Sequence, residues 1–261
     1  MAALRDETKQ ADRSANHQRP SRQRGAAPEK AMPVMMSSSL APHAAQNDLA
    51  QLRITMVDRQ VRPSDVTAYP VIAAMLDLPR EEFVPAALRE VAYSGADLAI
   101  APGRAMPEPR TLAKMVDALA VSQDDRVLVV GAGLGYGAAL IARLAQSVVA
   151  LEELPHLAAA AQQALADHAP NARVLQGKLA EGAPENAPFD VILVEGGVNA
   201  VPVALSAQLA EGGRICAVFV QGGLGQVRVG TQQGGQIYWR LAFTAMLPVL
   251  PGFATSSEFA L

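Results

Sequence analysis

The stretch RVLVVGAGLGY, residues 126–136, decides the fold of this chain. Val127–Val130 form an apolar run with the length of a buried strand, and three glycines lie within the next five residues. Helical spacing of apolar residues follows directly, so a helix is predicted over 135–145. A strand, a glycine turn and a helix in this order are typical of a doubly wound parallel sheet, which binds ligands at the carboxyl ends of its strands.

Strands and helices alternate after this unit. Strands are predicted over 147–151, 173–176, 191–194 and 214–220, with helices over 155–166 and 201–209. Two last β-rich stretches, 226–230 and 237–247, have no helix between them, and Gly234-Gly235 suits a hairpin turn. We therefore expect an α/β protein with a doubly wound, seven-stranded, mostly parallel sheet and a C-terminal antiparallel hairpin.

The part before this sheet predicts N-terminal helices. Helical spacing runs from Asp48 to Val61, and Asp65 is placed to cap a second helix that ends near Pro79. Further helices are predicted over 85–91 and 111–119. Glycines and prolines are frequent over 93–109, which we expect to be an ordered loop.

The chain divides into a tail and one domain. Residues 1–46 hold seven Lys/Arg and four Asp/Glu, a net charge of +3, and show no helical or strand period. A disordered tail is expected there. Residues 47–261 are expected to form the α/β domain.

Composition excludes several classes of protein. Of 261 residues, 50% are apolar and 18% charged, with a net charge of −3, which argues against general disorder and against binding to nucleic acid or to an anionic membrane. One cysteine and four scattered histidines predict no disulfide and no metal site. Because no apolar run reaches the roughly 18 residues of a membrane span, we expect a cytoplasmic protein, a monomer or weak dimer.

The candidate ligand site lies where the first two sheet strands end. Gly131, Ala132, Gly133 and Gly135 form a loop that lets a ligand approach the backbone, and Glu152 ends the next strand. A carboxylate at that position accepts hydrogen bonds from both hydroxyls of a ribose. Hydride-transfer enzymes and methyltransferases share this geometry, and the G-x-G-x-G spacing favours S-adenosyl-L-methionine. We expect an open hollow here, large enough for a nucleoside.

Beyond this loop, an ordered set of short motifs resembles the protein-L-isoaspartate O-methyltransferase family. The resemblance runs from about Met56 to Phe253 and includes MVDRQ (56–60), FVP (83–85), APFD (187–190) and GGR (212–214). It implies an S-adenosyl-L-methionine-dependent enzyme that methylates the isoaspartyl carboxylate of damaged proteins or peptides. In that family the N-terminal helical region, 47–120 here, contains the substrate loop.

The substrate loop departs from the family pattern. The family places a serine before the helix predicted over 111–119, whereas this chain has Pro107, which offers neither a hydroxyl nor an N–H group. The next residue, Glu108, would repel a carboxylate substrate if it pointed inward. No catalytic residue is predicted, and Pro107 and Glu108 occupy the substrate-loop positions.

Two acidic residues of the family's cofactor site are also replaced. The resemblance places an acid where this chain has Val129, and a Gly-Asp pair where it has Gly177-Lys178. A lysine cannot accept the bond that the family's aspartate accepts from adenine. Glu181 and Glu195 are candidate replacements. The predicted cofactor-binding residues are Gly131, Ala132, Gly133, Gly135, Glu152, Gly177, Lys178 and Glu195.

Three hypotheses follow. The first is a methyltransferase for isoaspartyl residues, and the second is an S-adenosyl-L-methionine-dependent enzyme with another substrate, such as a small carboxylate. The third is a non-catalytic homologue that has lost the cofactor. A hollow filled by side chains would favour the third hypothesis.

Overall fold

The computed structural model describes residues 41–255, with side chains from residue 48 onward. Most of the predicted tail, residues 1–40, and the last six residues lie outside this range. The helices are α1 (Ala41–Met56), α2 (Tyr69–Asp77), α3 (Pro109–Leu119), α4 (Tyr136–Ala142), α5 (Pro155–His168) and α6 (Val203–Ser206). Short 3₁₀ turns and one π turn, Val57–Val61, connect them.

Seven strands form the main sheet, in the order β5-β4-β3-β6-β7-β8-β9. Strands β3 to β7 pair in parallel, and β8 and β9 extend the sheet in antiparallel pairing. The bounds are β3 (Arg126–Val130), β4 (Ser147–Glu152), β5 (Ala172–Gln176), β6 (Phe189–Val198), β7 (Leu209–Gln221), β8 (Leu224–Gln233) and β9 (Gln236–Thr244). This sheet confirms the predicted fold class.

The central strands could be predicted from the sequence because they are buried on both faces of the sheet. Along β3, Val127 and Val129 pack into the hydrophobic cluster on one face of the sheet, and Leu128 and Val130 pack into the cluster on the other. Parallel strands covered on both faces have continuous apolar sequences rather than alternating ones. Val129, where the resemblance implies an acid, is a buried core residue.

Strand register brings the candidate site residues to one edge of the sheet. Val130 of β3 pairs with Leu151 of β4 on one side and with Val194 of β6 on the other. The next residues are the glycine loop, Glu152 and Glu195, which therefore lie side by side where β3 and β4 end and near the carboxyl end of β6.

The prediction of a loop over 93–109 is wrong for part of this segment, and that part contributes to the site. It contains an antiparallel hairpin, β1 (Leu98–Ala101) and β2 (Arg104–Met106), which forms a separate two-stranded sheet. Strands of four and three residues are too short to show a period, and the turn formers Pro102 and Gly103 (φ +68°) dominate the sequence signal.

Other element boundaries also differ from the predictions. Asp65 caps no helix: it has φ +63° at the end of a 3₁₀ turn, and α2 begins at Tyr69. Residues 86–91 form a 3₁₀ rather than an α-helix, and α6 has four residues instead of the predicted nine over 201–209. Within the described residues, no helix is long and apolar enough to cross a membrane, and no cluster of metal-binding side chains is found.

Candidate active site

The glycine loop turns sharply between β3 and α4. The φ angles of Gly131, Gly133 and Gly135 are +78°, +58° and +95°, in a region that residues with a Cβ rarely adopt. The amides of Gly131 and Ala132 both donate to the Leu151 carbonyl, at 2.9 and 3.1 Å. At Gly135 a Cβ would lie 3.2 Å from Cγ of Leu165, so glycine there also allows close packing against α5.

Glu152 is fully buried beside this loop. Its Oε2 accepts a hydrogen bond from the Gly133 amide at 2.8 Å, and its Oε1 accepts from the amides of Glu153 and Leu154, both at 2.9 Å. Arg104 of β2 completes the set, because its Nη1 and Nη2 donate to Oε1 and Oε2 at 2.6 Å each. Five donors occupy a carboxylate that has about four lone-pair positions, so no acceptor position remains for a ribose.

The β1–β2 hairpin also fills the space above the loop. Cδ1 of Ile100 lies so close to Gly133 that a Cβ there would be 2.7 Å away. Ile100, Met106, Tyr136 and Glu195 line, with the glycine loop, a cavity of only about 10 Å³. A small-molecule site needs about 300 Å³ or more, and 10–15 Å³ holds roughly one water. The expectation of an open hollow is therefore wrong for this structure.

The C-terminal segment closes the opposite side of the same edge. Leu250 is buried against the loop, with its Cδ1 3.1 Å from where a Cβ on Gly131 would be, and Gly196 allows it to approach β6. The segment is held by backbone hydrogen bonds, in which the Gly197 amide donates to the Pro248 carbonyl at 2.7 Å and the Leu250 amide to the Gly197 carbonyl at 2.9 Å.

Glu195 is a buried carboxyl group on β6 that faces α4. Burial raises its pKa to about 8, although the charges of Arg104 and Arg80 oppose the shift. Its Oε1 has no hydrogen-bond partner among the described residues. Gly137 makes the space for it, because a Cβ at that position would overlap the carboxyl group.

Gly177 and Lys178 have different surroundings at the end of β5. The Gly177 amide donates to the backbone carbonyl of Glu152 at 3.1 Å, which keeps it at the edge of the site. Lys178 is exposed and forms an ion pair at 3.0 Å with Glu181, which is also exposed. Glu181 is therefore oriented toward the lysine in this structure, and the two form a surface pair.

The substrate-loop positions are fixed by an arginine that the sequence did not single out. Arg80 is fully buried, with its guanidinium 4.8 Å from the centre of the Tyr136 ring. Its Nη2 donates to the Pro107 carbonyl at 2.8 Å and its Nε to the Ala92 carbonyl at 2.7 Å. Pro107 is thereby anchored to the start of α4 through its backbone.

Glu108 does not extend into the site. Its Oε1 accepts hydrogen bonds from Nη2 of Arg110 at 3.0 Å and from the Thr111 hydroxyl at 2.8 Å, at the beginning of α3. Beside it lies a groove of about 500 Å³, which Arg59, Arg110 and Lys114 also line.

Comparison with known proteins decides the family. Residues 54–239 match the sequence family "Protein-L-isoaspartate(D-aspartate) O-methyltransferase (PCMT)". The chain belongs to this family. Protein-L-isoaspartate O-methyltransferase 2 of Marinobacter nauticus is 42% identical over 184 residues, covering 69% of this chain and 83% of the relative. The enzyme of Methylorubrum extorquens is 38% identical over 212 residues, covering 80% and 92%.

A solved structure supports the same fold. A Plasmodium falciparum protein, described as a protein-L-isoaspartate O-methyltransferase and determined with S-adenosyl-L-homocysteine, superposes with a TM-score of 0.65. The alignment covers 77% of this chain and 97% of that one, at 19% identity. At this identity the likeness concerns the fold alone.

The family's cofactor, S-adenosyl-L-methionine, fits this site in chemistry but not in volume. The glycine loop lets a ligand approach the backbone, and the buried Glu152 carboxylate is an acceptor for ribose hydroxyls. However, Arg104 and Ile100 occupy the positions that a nucleoside needs, and about 10 Å³ remains. The cofactor therefore does not fit the arrangement of this structure.

Arg80 and Arg104 are the site residues that sequence reasoning missed. Arg104 meets Glu152 across 48 positions of the chain, a contact that no local pattern reveals. The only available signal was indirect, because a buried carboxylate such as the one predicted at Glu152 requires a cationic or hydrogen-bonding partner when its ligand is absent.

Proposed function

We propose that this chain is an S-adenosyl-L-methionine-dependent methyltransferase that esterifies the carboxyl group of isoaspartyl residues in proteins or peptides. One observation carries the proposal: the buried Glu152 carboxylate ends β4 and accepts a hydrogen bond from the glycine loop that ends β3. A doubly wound sheet binds a nucleoside at this place. The family match and the names of the relatives support the same reaction.

The proposed cofactor residues follow the edge of the sheet. Gly131, Ala132, Gly133 and Gly135 would pass beneath the nucleoside, and Glu152 would bind its ribose once Arg104 has moved away. Gly177 and Lys178 follow β5 and would lie on the adenine side. Glu195 lies nearest α4, its Oε1 has no hydrogen-bond partner among the described residues, and it would contact the polar end of the cofactor.

The reaction demands positioning rather than proton transfer. A carboxylate substrate is already ionised at neutral pH, so alignment and exclusion of water supply most of the rate enhancement. This agrees with a substrate loop that offers no general base: Pro107 has no titratable group, and the Glu108 carboxylate is engaged by Arg110 and Thr111.

The groove beside Glu108 is the proposed position of the peptide. Arg59, Arg110 and Lys114 give it three positive charges against the two of Asp65 and Glu108. A net positive groove favours a peptide with a free carboxylate, such as the α-carboxylate that an isoaspartyl linkage leaves free, or a small carboxylate.

Methyl transfer tests the proposal directly. Labelled S-adenosyl-L-methionine should methylate an isoaspartyl peptide and leave its aspartyl twin unlabelled. Arg59→Gln should raise KM for the peptide several-fold with kcat nearly unchanged, whereas Arg62→Gln, whose arginine pairs with Asp58 on the same exposed surface, should not. Cofactor binding without transfer to either peptide would refute the isoaspartyl assignment and leave a small carboxylate as substrate.

A non-catalytic homologue is the second candidate. The observation that favours it is the filled hollow, in which Glu152 is already neutralised by Arg104. Calorimetric titration separates the two candidates, since a non-catalytic homologue gives no heat with millimolar S-adenosyl-L-methionine or S-adenosyl-L-homocysteine.

Location and assembly complete the proposal. We propose a cytoplasmic location, since the cysteine, Cys216, is buried and unpaired, as is typical of a reducing compartment. We also propose that the protein is a monomer or weak dimer. Sedimentation of the full chain measures the assembly state, and a stable tetramer would contradict this part of the proposal.

A further inference from the structure

We propose that the β1–β2 hairpin is a gate over the cofactor site. Arg104 holds this gate closed, because it binds the Glu152 carboxylate that would otherwise bind the ribose. This inference rests on the proposed function, because it concerns access to the same site. The gate is closed in this structure, and the cofactor binds only when the hairpin moves outward.

The Arg104 guanidinium makes the hydrogen bonds to Glu152 that a ribose would make. A ribose presents two neighbouring hydroxyl donors to a carboxylate, and the Arg104 guanidinium presents two neighbouring N–H donors, each 2.6 Å from a different oxygen. The pair is sealed from solvent, with exposed side-chain fractions of 2% and 0%. Arg104 and a ribose therefore compete for one binding partner.

A second residue of the same hairpin blocks a second part of the site. Ile100 presses its Cδ1 against Gly133, at the turn of the glycine loop. Because Ile100 belongs to β1 and Arg104 to β2, one outward movement of the hairpin removes both obstacles and enlarges the cavity of about 10 Å³.

The hairpin is attached in a way that permits this movement. Its two strands hydrogen-bond to each other and form a sheet separate from the seven-stranded one. Its base is held in place: the Glu108 amide donates to Oδ1 of Asp97 at 2.7 Å, Arg80 donates to the Pro107 carbonyl at 2.8 Å, and Leu98 and Met106 are buried in the hydrophobic core. The tip of the hairpin, residues 99–105, contains both Ile100 and Arg104 and can thus bend away from the glycine loop without breaking a ladder of the main sheet.

A closed gate lowers the apparent affinity for the cofactor by the fraction of molecules that are open. If about 1–10% of the molecules are open, a variant that cannot close binds the cofactor about 10- to 100-fold more tightly. Breaking a buried ion pair is costly, so the closed state is expected to dominate in the wild-type chain.

Calorimetric titration of the full chain with S-adenosyl-L-homocysteine tests the gate without any measurement of activity. Arg104→Gln removes the charge and half of the bidentate contact, and Ile100→Ala removes the obstacle at Gly133 while leaving the ion pair. Arg214→Gln is the matched control, because Arg214 pairs with Asp125 at the same 2.6 Å but at the opposite end of the strands. Thermal melts verify that each variant is folded.

The gate predicts that Arg104→Gln binds the ligand at least about tenfold more tightly than wild type, that Ile100→Ala, which keeps the ion pair, gains less, and that Arg214→Gln binds as wild type does. Equal affinities in all four proteins would overturn the gate and leave the proposed function intact. Absence of binding in all four, with folded variants, would overturn both the gate and the proposed function.

Discussion

The Glu195→Gln substitution gives a quantitative test of the buried charges around the site. Burial raises the pKa of Glu195 from 4.5 to about 8. Between these pH values the folded chain holds a proton that the unfolded chain has released. Stability due to this group is therefore fully present below about pH 4.5 and is lost as pH rises toward 8, by at most about 1.4 kcal/mol per pH unit.

The magnitude over an accessible range follows from this slope. From pH 5 to pH 8 the wild-type chain should lose up to roughly 4 kcal/mol from this group alone. A glutamine has nearly the same size and stays neutral, so Glu195→Gln should remove the loss. The free energy of unfolding of the variant minus that of wild type should therefore increase as pH rises.

Urea denaturation of both proteins at intervals between pH 5 and pH 8.5 measures this difference. Glu90→Gln, at an exposed position of a 3₁₀ turn, is the control and should follow the wild-type curve. A difference between Glu195→Gln and wild type that stays constant across the range would mean that Glu195 titrates alike in the folded and unfolded chains, contrary to the raised pKa.

Three further predictions concern packing around the site. Arg80→Met leaves two buried carbonyl oxygens without donors and should cost about 2–4 kcal/mol in urea denaturation, whereas exposed Arg62→Met should change little; a loss below about 1 kcal/mol for Arg80→Met would count against its anchoring role. Gly137→Ala places a Cβ on the Glu195 carboxyl group and should lower Tm by several degrees, and adding Glu195→Ala should restore part of it; equal Tm values for all three proteins would contradict the overlap. Burial raises the pKa of Cys216 to about 12, so a thiol reagent should label it only after unfolding, and rapid labelling of the native chain would disprove this burial.

The central sheet was predictable because its signals are local. Four consecutive apolar residues before Gly131 indicated β3, and Gly234-Gly235, with φ of +58° and +80°, forms the expected turn between β8 and β9. Helix ends were less predictable, since Asp65 has the chemistry of a cap but its backbone is left-handed. Neighbouring residues decide such positions through tertiary packing.

The positions of the glycine loop and Glu152 were predictable from the sequence, but the side chains that fill the site were not. The strand order placed Glu152 beside the glycine loop, as expected. Whether its carboxylate faces a free space depends on Arg104, which is distant in sequence and belongs to a hairpin that resembles a loop in composition. A charge pair between distant segments leaves no periodic pattern in the sequence, so the closure of the hollow could be seen only in the structure.

A crystal structure of the full chain grown with S-adenosyl-L-homocysteine would show whether the nucleoside displaces Arg104. We expect the ribose hydroxyls to bind to Glu152, with the Arg104 guanidinium displaced and Ile100 withdrawn from Gly133. A complex in which the nucleoside is bound while Arg104 and Glu152 remain paired would contradict this expectation.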